Sequence, residues 1–270
     1  RGLIRLGNIQ LEAKQAEAAV LSFGEAVRIR ENAFGAKHPT VGGALGNLAR
    51  AQVAAGKFAD AEKVLQRALT IQIAERGADH PSVGKSFNTL GDALTALGRF
   101  VEAEDAFARA LEIREARFGD DHPDVAETLG GFGQMAFKQG RFVEAYQAFR
   151  RAADIFIRRA RVRSPEEAAQ RPGNLIEIAV FEGLAEAAFE VADLDTKTRS
   201  ERLTEAYEAQ QWALQSRTGL ALEQMASRFA VGSSPLAATL REIHELTRAR
   251  AAADRRHLDL LAKGDAPKAA

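Results

Sequence analysis

The chain has 270 residues, enough for one large domain or two modest ones, and its 46% apolar and 27% charged residues are an ordinary globular mixture. Its 37 Lys and Arg balance 37 Asp and Glu, which argues against a globally basic surface for nucleic acid or an anionic membrane. Absence of cysteine removes disulfides, thiolate metal sites and a cysteine nucleophile, and no apolar run approaches the roughly eighteen residues of a membrane span.

From the N-terminus onward the chain repeats itself. His-Pro occurs at His38-Pro39, His80-Pro81 and His122-Pro123, a step of 42. The same step relates Gly35, Gly77 and Gly119, then Gly56, Gly98 and Gly140, then Phe58, Phe100 and Phe142. Ile29, Ile71, Ile113 and Ile155 keep it across four units. Periods of this size are the mark of stacked supersecondary units.

The unit around residues 80–120 shows what is repeated. Proline follows each His-Pro histidine at a position suited to the first turn of a helix, where its missing N–H has no partner to lose. Phe87, Leu90, Leu94 and Leu97 then step by three and four, as one buried helical face requires. Gly98 ends that helix, and Phe100 opens a second one whose face runs through Ala103, Phe107, Ala110, Leu111 and Arg114 to a stop at Gly119. Small residues, Gly91, Ala103 and Ala110 among them, fall where two helix backbones approach closely. A single hairpin cannot bury both of its faces, so neighbours must stack.

Phe87, Leu90-Gly91, Leu94, Ala103, Phe107 and Ala110 resemble the pattern of the tetratricopeptide repeat. The 42-residue period and "FGDDHPDVAETL" (Phe118–Leu129) resemble the kinesin-light-chain subtype of that family. The resemblance implies an all-α fold, a right-handed superhelical solenoid of helix hairpins with extra C-terminal helices. It covers residues 1–160 as four units, the first truncated in its opening helix.

Past residue 160 the pattern drifts. Residues 161–173 read as a polar, proline-bearing connector, and 174–216 as a divergent fifth pair. Phe181, Leu184, Ala185 and Ala188 mark its first helix, and Ala206, Gln210 and Ala213 its second. Ala185 to Ala206 spans 21 residues where regular units use 12, an insertion around Asp193–Arg202. Further helices are expected over Trp212–Phe229 and, after a break at Gly232-Ser233-Ser234-Pro235, over Leu236–Leu261. These belong to a C-terminal helical segment at 217–262, before a frayed tail at 263–270. Glu205–Leu246 resembles the segment between the repeats and the peptidase domain of bacterial CHAT proteins, which join tetratricopeptide repeats to a caspase-like peptidase. That resemblance implies a downstream domain carrying the catalytic His and Cys, and gives no residue of this chain a catalytic role.

Several residue patterns suggest chemistry and do not sustain it. The His-Pro histidines occur once per unit at interhelical turns, about 10 Å apart if the units stack like ordinary packed helices, whereas ligands must converge at about 2 Å from one metal ion. Gly84-Lys85-Ser86 lacks the earlier glycine and the strand that a phosphate-binding loop needs. Paired carboxylates are read as solvated helix faces, and Trp212 as core. No catalytic, cofactor-binding or metal-binding residue is assigned.

The resemblance implies that the first helix of each pair lines a concave groove for a protein or extended peptide. Taking Leu48, Leu90 and Phe132 as equivalent core positions, the groove sets include Gly46, Asn88 and Gly130, then Asn47, Thr89 and Gly131, then Arg50, Asp92 and Gln134, with Lys138 further along. Lys85 and Glu127 share another equivalent position. Asn47, Asn88 and Gln134 are candidates to pair with a peptide backbone. The floor glycines have two readings, close approach of a peptide or tight packing. Gly46, Gly130 and Asp92 stand where the carboxylate clamp of chaperone cochaperones would need several of its Lys and Asn residues, so a chaperone tail is not the expected guest. Glu182, Glu186 and Glu190 step by four and suggest an acidic wall at the C-terminal end of the groove, fit for a basic segment of a partner or of Arg158–Arg163. The other reading is a solvated face.

The expected function is a non-catalytic protein-binding module, the recognition or regulatory region of a caspase-like peptidase. The alternative is a freestanding scaffold. Seven arginines within Arg150–Arg171 raise nucleic-acid binding as a remote alternative, against which zero net charge and the lack of an aromatic platform argue. No membrane partner is expected. The cytoplasm is the expected compartment, with the periplasm as the alternative because the chain begins on Arg1.

Overall fold

The computed structural model describes residues 2–162, 175–192, 194 and 198–229. Among these, all regular elements are helices: α1 (Gly2–Glu12), α2 (Ala16–Phe34), α3 (Pro39–Ala54), α4 (Phe58–Arg76), α5 (Pro81–Ala96), α6 (Phe100–Phe118), α7 (Pro123–Lys138), α8 (Phe142–Val162), α9 (Leu175–Ala192) and α10 (Arg199–Phe229). None is long and apolar enough to cross a membrane. The packing defines two compact units, Arg1–Ile155 and Phe156–Ala270.

In the first unit the 42-residue period becomes a stack of hairpins. α3, α5 and α7 each have 16 residues, and α4 and α6 each have 19. α1 has 11, the shortened opening helix expected of the first pair. The turn inside each hairpin needs a left-handed residue, and Gly56, Gly98 and Gly140 supply φ of 74°, 75° and 74°. At Gly98 the turn closes with Gly98 N–H donating to Thr95 and Arg99 N–H to Leu94, the paired bonds of a Schellman cap.

The His-Pro histidines cap helices. His38, His80 and His122 stand at the N-caps of α3, α5 and α7, with proline next. Each ring accepts at Nδ1 the backbone N–H two residues on, from Thr40 at 3.3 Å and from Ser82 and Asp124 at 3.1 Å. Accepting at Nδ1 puts the proton on Nε2 of a neutral imidazole. Phe34 and Phe118 stack on the rings of His38 and His122 at 4.8 and 4.4 Å. At the equivalent position the His80 unit carries Arg76. His80 is held below its ordinary 6.5, first by burial and then by the charges of Arg76 and Arg117. The unfolded chain therefore binds the proton first. The stability this cap contributes is complete above pH 6.5 and is lost as pH falls through the lower folded value. His80→Ala is expected to cost about 1 kcal/mol at pH 7.5 in chemical denaturation, while His80→Asn keeps most of the cap and removes its acid sensitivity.

Core clusters run across the hairpins. Val27 of α2 packs with Val41, Ala44 and Leu45 of α3 and with Ala68 and Ile71 of α4, while Leu69 of α4 packs with Val83 of α5 and Ile113 of α6. Burial of such side chains contributes about 1.5–3 kcal/mol each and drives the stacking. Arg67–Glu31, Arg99–Glu62, Arg109–Asp79, Arg141–Glu104 and Arg151–Glu115 join successive units at 2.5–2.8 Å. Being partly exposed, these pairs add little energy each.

The second unit contains α9 packed on α10. Phe181 and Trp212 stack with centroids 5.4 Å apart, so Trp212 packs against the buried face of α9. The structure differs from the expected helix division here. The second helix of the fifth pair and the helix over Trp212–Phe229 are one helix, α10, of 31 residues. No glycine or proline interrupts 199–218, and the single Gly219 does not break the helix. α8 continues to Val162, into the start of the expected connector. Positions 163–174, the break at Gly232–Pro235, the helix over Leu236–Leu261 and the tail from Lys263 lie outside the described residues.

Candidate functional site

The odd-numbered helices of the first unit touch one another along the stack, α1 with α3, α3 with α5 and α5 with α7, while the even-numbered ones make at most slight contact among themselves. The odd helices are thus the tighter, inner layer. On it a cavity of about 250 Å³ opens across three hairpins. Arg50 and Val53 of α3 form one wall, Lys85, Asn88, Thr89 and Asp92 of α5 the floor, and Asp124 and Glu127 of α7 the opposite wall, with Arg114 rising from α6 beneath.

Arg114 organises this floor. It is 2% exposed, and its Nη1 donates to the Asp124 carbonyl at 2.5 Å, Thr128 Oγ1 at 2.7 Å and Asn88 Oδ1 at 3.3 Å. Its Nη2 pairs with Glu127 at 3.1 Å. The α2 counterpart Arg30 reaches the Thr40 carbonyl at 2.6 Å in the same register. Gln72 holds the place in α4, donating to the Gly42 carbonyl at 3.0 Å and accepting from Ser86 at 2.9 Å. A long polar side chain from each outer helix therefore fixes the start of the next inner helix.

Charge in the cavity is crowded. Burial pushes the Asp92 carboxyl up to about 7, with Glu127 adding to the rise and Arg114 opposing it. Asp92 keeps a partly open side toward the groove, so water relieves some of that strain. Lys85 is drawn below the usual lysine value, first by the surrounding protein and then by Arg50. Burial also lowers Arg50, against the pull of Glu127 and Glu12. Because the native state holds the Asp92 proton between 3.8 and 7, its contribution is present at low pH and is lost as pH rises through 7. Asp92→Asn is expected to raise the unfolding free energy by about 1–3 kcal/mol at pH 8, the gain shrinking to nothing toward pH 4, as read from denaturation curves at both pH values.

The structure brings Arg50, Lys85, Asn88, Asp92 and Glu127 to this one cavity. Asn88 is only 4% exposed, its oxygen taken by Arg114 and its Nδ2 donating to Asp92 at 3.5 Å. Its carboxamide is a buried strut, because Arg114 needs an acceptor there. Asn47 is half-buried on α3, and Gln134 and Lys138 are exposed on α7; none of the three bounds the cavity. Glu182, half-buried, and Glu186 and Glu190, exposed, lie on α9 of the second unit. Of the arginine cluster, Arg151 pairs with Glu115 at 2.5 Å and Arg150 lies 5.9 Å over Tyr146.

The floor glycines divide. A Cβ at Gly131 would meet the Phe107 ring at 2.7 Å, a packing role, while one at Gly43 would meet nothing within 4 Å and one at Gly46 only ordinary contacts at 3.6 Å. Two cavity residues without an earlier sequence assignment are Arg114 and Asp124. The only signal for Arg114 was a charge standing within an apolar stripe.

A family model for the tetratricopeptide repeat matches residues 1–74, 43–116 and 82–158. No curated protein matches the chain at a significant level. Among solved structures, the nearly identical TPR-like repeats of a putative kinesin light chain from Podosopora anserina are 21% identical, with 78% of this chain and 94% of that one covered and a TM-score of 0.58. BtubC (BKLC) from P. vanneervenii is 18% identical, with 80% and 78% covered and a TM-score of 0.57. At these identities the likeness concerns the fold.

Proposed function

Because the chain belongs to the tetratricopeptide-repeat family, whose repeats typically mediate protein–protein interaction, we propose that the inner layer of α1, α3, α5 and α7 is a docking groove for an extended polypeptide segment. The observation that carries this reading is the cavity over α3, α5 and α7, which is polar, open to the groove and lined by donors the fold leaves unused. Main-chain approach is eased at Gly43, where the helix surface carries no side chain and has free space above it.

Gly43 also provides the test. Lys85 and Glu127 occupy its register in the next two hairpins and both line the cavity. Gly43→Trp fills the groove without touching the core, and replacing a helical glycine does not weaken α3. Peptides selected from a random display library on the whole chain are expected to bind this variant at least about tenfold more weakly. Val101→Trp on outer helix α6, where Val101 is 76% exposed, is expected to bind them unchanged. Equal binding by Gly43→Trp, or loss on Val101→Trp, would contradict the groove reading.

The CHAT resemblance of Glu205–Leu246 supports a finer version of the proposal, in which the groove recognises a protein on behalf of a caspase-like peptidase. A freestanding scaffold would use the same groove. The two differ in what the groove is joined to, and the open reading frame around this chain decides between them.

A further inference from the structure

Resting on the groove reading, we infer that the cavity between Arg50 and Lys85 receives one carboxylate carried by the docked polypeptide. The argument starts from which donors are already used. Arg114 is saturated by Asn88, Thr128, the Asp124 carbonyl and Glu127. Arg50 spends Nη2 on Asn8 Oδ1 at 2.7 Å, a neutral acceptor, and its Nε is buried with no acceptor at all. Buried N–H groups are almost always paired, so an unpaired one in a cavity wall marks the place of an absent acceptor. Lys85, on the next inner helix, has no side-chain hydrogen bond or ion pair among the described residues, and it lines the same cavity. Two cations on neighbouring helices thus share a space and lack an anion.

Charge counting selects the guest. Glu127 is neutralised by Arg114, which leaves Asp92 and Asp124 facing the two unpaired cations. A dianion such as phosphate would be repelled by that pair of carboxyls, and a cation would be repelled by Arg50 and Lys85. A planar monoanion offering two acceptor oxygens fits both constraints. Val53 in the wall suits the short apolar stem of an acidic side chain.

The test follows the Arg50 Nε–H signal by NMR in the whole chain, during titration with four probes. These are the N-acetylated, C-amidated pentapeptide Gly-Gly-Asp-Gly-Gly, its Asn counterpart, N-acetylated pentaglycine with a free C-terminus, and inorganic phosphate. The expected result is a saturable shift with a carboxylate peptide, none with the Asn counterpart, and at least about fivefold weaker binding in Lys85→Met. The Asp peptide and the free C-terminus tell side-chain from terminal carboxylate as the source. Lys85→Met removes no hydrogen bond of the fold, and Arg50→Lys, which keeps the charge and drops Nε–H, is expected to weaken binding as well when followed by backbone amide shifts on α3. Three outcomes would overturn the inference: an equal response to the Asn peptide, tighter binding of phosphate, or no shift with either carboxylate. Library peptides that bind wild type, fail on Gly43→Trp and ignore Lys85→Met would contradict the carboxylate while leaving the groove intact.

Discussion

Gly91→Ala is expected to destabilise the first unit by about 2–3 kcal/mol, against the roughly 1 kcal/mol that alanine ordinarily gains over glycine inside a helix. The new Cβ would lie 2.7 Å from the Phe107 ring, closer than any relaxed contact, and Phe107 is only 1% exposed with no space to retreat into. The repeat itself supplies the rescue. Gly7 faces Phe23, Gly91 faces Phe107 and Gly133 faces Phe149. In the remaining hairpin the same two positions carry Ala49 and Leu65, buried together in one cluster. Alanine thus accompanies the smaller partner. Phe107→Leu alone is expected to cost about 1–2 kcal/mol through the space it vacates. The double variant should be more stable than the sum of the two by at least about 1 kcal/mol. Urea denaturation of the four chains measures this coupling. A neutral or stabilising Gly91→Ala would show that the ring does not set the spacing of α5 and α6.

The second large effect is expected at Arg114. Arg114→Met removes a buried charge and leaves Glu127 without its partner and Asn88, Thr128 and the Asp124 carbonyl without a donor. Breaking a buried pair from one side costs about 3–5 kcal/mol. Arg114→Gln should cost about half as much. Gln72 already performs this task one hairpin earlier, where its partner is Ser86, and Thr128 holds that place here. Equal losses for Met and Gln would mean that Arg114 acts by filling volume, with no part played by its hydrogen bonds.

What the sequence reveals and what it conceals divide along physical lines. Helix limits were legible because each is enforced locally. Proline after His38, His80 and His122 begins an inner helix, Gly56, Gly98 and Gly140 turn the hairpin, and Gly35, Gly77 and Gly119 end it. The inner and outer faces followed from the three-and-four spacing. The capping role of the histidines was not legible, since histidine is not a usual N-cap and only the ring orientation shows that Nδ1 turns back to the helix. Arg114 carried a misleading signal: a charge in an apolar stripe reads as an edge residue, yet its acceptors come from α5 and α7 and draw it inside. Asn88 is buried for the same reason. The floor glycines left two readings open because the difference between Gly43 and Gly131 lies in Phe107, a residue of another helix. In the second unit the division of helices failed where residues 199–218 contain neither glycine nor proline to mark an end, and α10 runs through.

The account depends on a polypeptide lying along the inner helices. Hydrogen–deuterium exchange of the whole chain, with and without a library-selected peptide, tests this most directly. The account predicts slowed exchange in α3, α5 and α7, centred on the turns that carry Arg50, Lys85 and Glu127, with α4 and α6 unchanged. Protection confined to α4 and α6, or absent from all three inner helices at saturating peptide, would contradict it.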